Sequence, residues 1–112
     1  MANGDAKGSI HYLVQVLVPQ YDNAGEPFGA DLFAQVRREL FDRFGGLTAH
    51  IRAPARGLWQ ADDGTVTRDD VIIFEVMTEA PDRAWWASYR GLLERRFRQD
   101  EVAIRAAPIE RL

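Results

Sequence analysis

The chain reads as an α+β protein of element order βαββαβ, and three observations lead there. Residues 40–78 run through a helix end, the stop Gly45-Gly46, an alternating strand, the turn Asp62-Asp63-Gly64 and a second strand. A further strand pattern precedes that run, and a helix pattern and a strand pattern follow it. Finally, 112 residues at 46% hydrophobic content suffice for one domain with its own core, without metal or disulfide support.

Residues 1–9 are small and polar, so a flexible tail is expected before a single domain over residues 10–112. Residues 10–18 are rich in β-branched side chains and end at Pro19, which predicts the first strand. Asp22-Asn23 and Gly25 mark a loop after it. Residues 30–44 place Leu32, Phe33, Val36, Leu40, Phe41 and Phe44 at helical spacing, with Asp31 as N-cap or first-turn acid. Gly45 and Gly46 then end the helix, because glycine enters the left-handed region without a Cβ clash.

Residues 47–53 alternate between Leu47, Ala49, Ile51, Ala53 and Thr48, His50, Arg52. Pro54 and Gly57 then predict an edge strand with a bulge. Leu58-Trp59-Gln60 resumes the pattern before the turn, and residues 65–78 supply the third strand, most apolar over Val71–Phe74. Pro81-Asp82 opens the second helix with Asp82 as cap, and Trp85, Trp86, Tyr89, Leu92, Leu93 and Phe97 form its stripe. Gly91 inside it costs about 1 kcal/mol relative to alanine, which close backbone packing would explain. Residues 101–107 make the last strand, which Pro108 is expected to end.

Right-handed crossovers place both helices on one face of the sheet. The prediction is therefore a ferredoxin-like βαββαβ sandwich: an antiparallel sheet of order 4-1-3-2 with two helices on one face. The helix-facing set is Tyr12, Val14, Val16, Val18, Leu47, Ala49, Ile51, Ile72, Phe74, Val76, Val102, Ile104 and Ala106. The opposite set is His11, Leu13, Gln15, Leu17, Thr48, His50, Arg52, Val71, Ile73, Glu75, Met77, Ala103 and Arg105. It is too apolar for a solvated face and too polar for an ordinary core. A second copy of the chain covering it would enclose a polar pocket between two sheets.

Composition excludes several function classes. A net charge of −3 offers no general attraction to nucleic acid or anionic lipid. The open face carries no aromatic ring on its two central strands, as stacked single-stranded RNA requires. No apolar run is long enough to span a bilayer, and the first residues do not resemble a signal peptide, so a cytoplasmic protein is expected. Cysteine is absent, which removes thiol nucleophiles and thiolate metal sites and fits a reducing compartment.

The candidate pocket residues are Glu75, His50, Arg52, Gln15 and His11. A mid-strand carboxylate such as Glu75, once covered, needs a cation or hydrogen bonds, or it holds a proton. His50 and Arg52 on the neighbouring strand could supply the partner, as an acid/base pair or as a structural ion pair, the commoner arrangement. His11 and His50 stand about 10 Å apart across two ladder spacings. No HxH or HExxH spacing occurs, so neither a metal nor another cofactor is expected. Trp59, near the hairpin, can clasp a partner or cap the core. The arginines of the second helix, interspersed with Glu94, read as a solvated face.

Arg43-Phe44-Gly45-Gly46-Leu47-Thr48, Gly57-Leu58-Trp59 and Asp70-Val71-Ile72-Ile73-Phe74-Glu75 give the span 10–107 a general likeness. It resembles small uncharacterised bacterial domains of the ferredoxin-like, dimeric α/β-barrel type. Such groups include heme-degrading and quinone-forming monooxygenases and small-molecule isomerases. None of their catalytic motifs matches here residue by residue, so the resemblance implies a fold and a homodimer but no activity. The expectation is a homodimeric small-molecule-binding domain, open to enzymatic use. The alternative is a non-catalytic interaction module using the apolar sheet face.

Overall fold

A computed structural model describes residues 10–52 and 70–112. The expected tail at 1–9, the interruption at Pro54 and Gly57, Trp59 and the turn at Asp62-Asp63-Gly64 lie outside the described residues. The elements are β1 (Ile10–Pro19), α1 (Ala30–Phe44), β2 (Thr48–Arg52), β3 (Val71–Thr78), α2 (Arg83–Arg96) and β4 (Ala103–Glu110). They form an open sheet of order β2-β3-β1-β4, the expected 4-1-3-2 read from the other edge, with all three pairings antiparallel. The ferredoxin-like α+β fold is thus the fold of this chain.

Register sorts the strand residues by parity. Val14 stands opposite Val76 and Ala106, and Val16 opposite Phe74 and Ile104, so these even positions share one face. On that face Val14, Val16, Val18, Phe74 and Val76 pack with Val36 and Leu40 of α1, and with Leu93, Phe97 and Val102 at the end of α2 and beyond. Each such side chain contributes about 1.5–3 kcal/mol by leaving water. The helices are clamped to each other by a forked contact: Nη1 and Nη2 of Arg96 each donate to the Glu39 carboxylate at 2.8 Å. The Tyr89 hydroxyl donates to the same carboxylate at 2.9 Å.

The helix ends follow the sequence signals. Gly45 adopts φ 78° and its N–H donates to the Phe41 carbonyl, closing α1. The Asp82 carboxylate accepts from the Trp85 N–H at 3.0 Å, capping α2. At the start of α1, Gly29 occupies the cap position and Asp31 is the first-turn acid, where its charge favours the helix dipole.

Three expectations are corrected. Strand β4 does not stop at Pro108 but passes through it to Glu110, with Pro108 opposite Tyr12. β4 is an edge strand, where every second N–H points away from the sheet and its loss removes no ladder bond. The helix layer does not reach β2 either: Ala49 and Ile51 are exposed although parity puts them on the helix side, and Phe41 of α1 is 55% exposed. Among the described residues no backbone crowds Gly91; a Cβ there would meet only the Arg95 side chain, at 3.5 Å.

Candidate functional site

The face without helices carries the odd positions of β1, β3 and β4. Gln15 on β1 stands directly opposite Glu75 on β3 and, on its other side, directly opposite Arg105 on β4. Directly opposed residues bring their Cβ atoms to about 5 Å, within reach of short polar side chains. Gln15 uses that reach in both directions. Its Nε2 donates to Glu75 Oε2 at 2.5 Å, and its Oε1 accepts from Arg105 Nε at 2.7 Å. The charges at the two ends fix which way the Gln15 amide points.

The row extends to β2. Thr48 is the register partner of Glu75, and His50 lies two residues further along the same strand face. His50 Nε2 sits 3.6 Å from Glu75 Oε2, too long for a hydrogen bond and an ion pair only when the imidazole is protonated. One side chain from each strand therefore forms the line His50, Glu75, Gln15, Arg105 across the sheet. The Glu75 side chain is 20% exposed, so this carboxylate stays in contact with solvent while most of its surface is covered.

Beside the line, at the end of the sheet where β2 begins, is a cleft of about 370 Å³. Glu75, Thr48, Leu13 and Met77 form its sheet side, and Phe44, Gly45, Gly46 and Leu47 its helix side. The cleft exists because β2 starts only at Thr48, so that among the described residues no strand lies beside the β3 edge at Val76 and Met77.

Of the expected pocket residues, the structure brings together Glu75, Gln15 and His50. Arg52 sits opposite Val71 at the end of β2, and its side chain falls outside the described residues. His11 is not near the group. The row through His50 crosses Ile73 and then Leu17, and His11 lies six positions from Leu17 along β1, about 20 Å away. The expected 10 Å counted only the sideways component, because register was not known. His11 is buried, at 4% exposure, as is Ile73 on the same face at 3%.

Arg105 and Thr48 are the residues that sequence reasoning assigned to this face without including them in the site. Alternation gave their face; only the ladder shows that one meets Gln15 and the other Glu75. Clear titration shifts occur on the other side of the sheet. The Arg96 hydrogen bonds hold the Glu39 carboxyl below its ordinary value, against the opposing effect of burial. Burial, then the Glu39 hydrogen bond, pushes the Tyr89 hydroxyl well above its own. That trio clamps α1 to α2, so its perturbation is structural.

Among the described residues no three His, Cys, Asp or Glu side chains converge as a metal site, and no helix is long and apolar enough to cross a membrane. No family model matches the chain, and no curated protein matches it. A solved structure does: a phage SAM lyase in complex with S-methyl-5′-thioadenosine, with a TM-score of 0.58 over 97% of this chain and 96% of that one. Sequence identity between the two is 9%. The match is one of whole-chain architecture, and it establishes the small α+β fold.

Proposed function

We propose that the chain is a cytoplasmic, homodimeric small-molecule-binding domain whose site is the open sheet face around Glu75. The observation that carries this reading is the line His50, Glu75, Gln15, Arg105, one side chain from each strand. A polar row of this kind on a face otherwise occupied by Leu13, Leu17, Ile73 and Met77 is the pattern of a ligand site, apolar with a few placed polar groups. A second copy laid on the face would cover Leu13, Leu17 and the half-exposed Met77 and enclose the polar row. The same architecture holds a nucleoside thioether in the phage SAM lyase, which supports a small ligand here without naming it. In an enzyme built on this site, Glu75 with His50 is the pair placed to move a proton of the ligand.

Two measurements test the reading. Amide and side-chain NMR of the protein is followed against a panel of small cationic, anionic and neutral compounds that includes S-adenosylmethionine and S-methyl-5′-thioadenosine. Binding compounds are expected to shift Gln15, Thr48, His50 and Glu75; hits that cluster elsewhere, or no hits at all, sink the site. Light scattering at micromolar concentration is expected to give a dimer that Leu13→Asp converts to monomer. A monomeric wild type overturns the homodimer.

A further inference from the structure

The charges around the cleft are one-sided. Among the described residues that line it, Glu75 alone is charged, and neither lysine nor arginine is among them. Glu75 Oε2 accepts from Gln15 and faces His50, while no hydrogen bond from the described residues reaches its other oxygen. Arg105 does not neutralise that carboxylate directly, since the Gln15 amide stands between them.

A second source of negative potential meets the first. The helix side of the cleft, Phe44 to Gly46, is the C-terminal end of α1, where unpaired carbonyls carry the negative end of the helix dipole. Among the described residues, only the Phe41 carbonyl is taken there, by the Gly45 N–H. The basic residue of that last turn, Arg43, is engaged elsewhere. Its guanidinium lies 4.1 Å from the Trp85 ring centre and 3.8 Å from the Asp82 carboxylate. The rest of the lining is apolar: Leu13, Leu47, Val76, the Phe44 ring and the Met77 thioether.

We propose that this cleft takes an organic cation, an ammonium or sulfonium on a compact apolar body, with the cationic centre against Glu75 and the carbonyl end of α1. The inference rests on the reading that the open face holds a small molecule, and it specifies the chemistry of that molecule. An anion is disfavoured by both negative sources, and a neutral ligand leaves the carboxylate without a counter-charge. The volume of about 370 Å³ lies at the small end for ligand pockets, which suits a small organic cation.

The test uses three compounds of one shape: choline, its neutral isostere 3,3-dimethylbutan-1-ol and the anionic 3,3-dimethylbutanoate. Each is titrated into the whole protein and followed by NMR at Gly45, Gly46, Thr48, Glu75 and Met77. Choline is expected to shift these resonances with an affinity at least about tenfold above the neutral isostere, weakening as salt is raised. In Glu75→Gln, which keeps the side-chain shape, the preference for choline over the alcohol is expected to fall to the smaller part that the carbonyl end of α1 supplies. Met77→Gln serves as a second variant, retaining the preference for charge while weakening both ligands. Equal or tighter binding of the alcohol or the carboxylate at these residues overturns the cation assignment and leaves the small-molecule site standing. No shift with any of the three overturns the assignment as well, while the site itself falls only if the wider panel also fails to reach the open face.

Discussion

Gln15 and Glu75 face each other across the β1–β3 ladder, and the amide of the first donates to the carboxylate of the second at 2.5 Å. Because the Gln15 carbonyl oxygen is also taken, by Arg105, the amide cannot turn without losing two charge-assisted hydrogen bonds. It is the middle link of the polar row.

Replacing that link separates the two ends. Gln15→Leu is expected to lower stability by about 1–2 kcal/mol, since Glu75 is mostly covered and loses its donor. Arg105→Leu, at an exposed position, is expected to stay within about 0.5 kcal/mol of wild type. Urea unfolding of the two variants measures the difference. A Gln15→Leu protein as stable as wild type would remove the structural role of the row.

Stability should fall at both ends of the pH range, through two neighbouring groups. Glu39 is held low in the folded protein by Arg96, so its contribution is complete above the ordinary carboxyl value of 4.5 and is lost as pH falls through the depressed folded value. Tyr89 is pushed up by burial, so its contribution is complete below 10.0 and is lost as pH rises beyond that, where the unfolded chain ionises first. Thermal unfolding across pH is expected to show Glu39→Gln flattening the acid limb and Tyr89→Phe the alkaline limb. Unchanged limbs in both variants would contradict the assignment.

Gly91 is a helix-interior glycine without a packing reason. Among the described residues, nothing but the flexible Arg95 side chain approaches the place of a Cβ. Gly91→Ala is expected to stabilise the protein by about 0.5–1 kcal/mol, through helix propensity and a less flexible unfolded chain. A loss of stability in chemical denaturation would show a constraint at this position.

The two glycines that end α1 are not equivalent. Gly45 has φ 78°, whereas Gly46 does not adopt the left-handed region, and a Cβ on either meets nothing within 4 Å. Gly45→Ala is therefore expected to cost about 1–2 kcal/mol from backbone strain alone, and Gly45→Asn less. Gly46→Ala should be close to neutral in the same denaturation assay.

Local signals carried much of the architecture. The bounds of α1 follow from its stripe and Gly45, and the cap of α2 from Asp82, because those are contacts within a few residues. The face of each strand residue follows from alternation, which put Gln15, Glu75, His50 and Arg105 on one side before any coordinate. Pro108 was misleading because its effect depends on whether a strand is central or at an edge, which is a property of the sheet. Ile51 and Phe41 were misleading for a similar reason: parity and helical spacing give a direction, but two helices do not span four strands.

By itself, the sequence determined the order of elements, their faces and the absence of thiol chemistry, since periodicity, turn residues and composition are properties of the chain. Register was decided only in the folded sheet. It set Gln15 between Glu75 and Arg105, left His11 four positions from Gln15 along β1, about 14 Å from the polar row, and opened the cleft where β2 starts late. Alternation repeats every two residues, so it is satisfied by any even slip of one strand past another. The packing of β1 against both β3 and β4 selects one of those slips, and with it the side chains that meet.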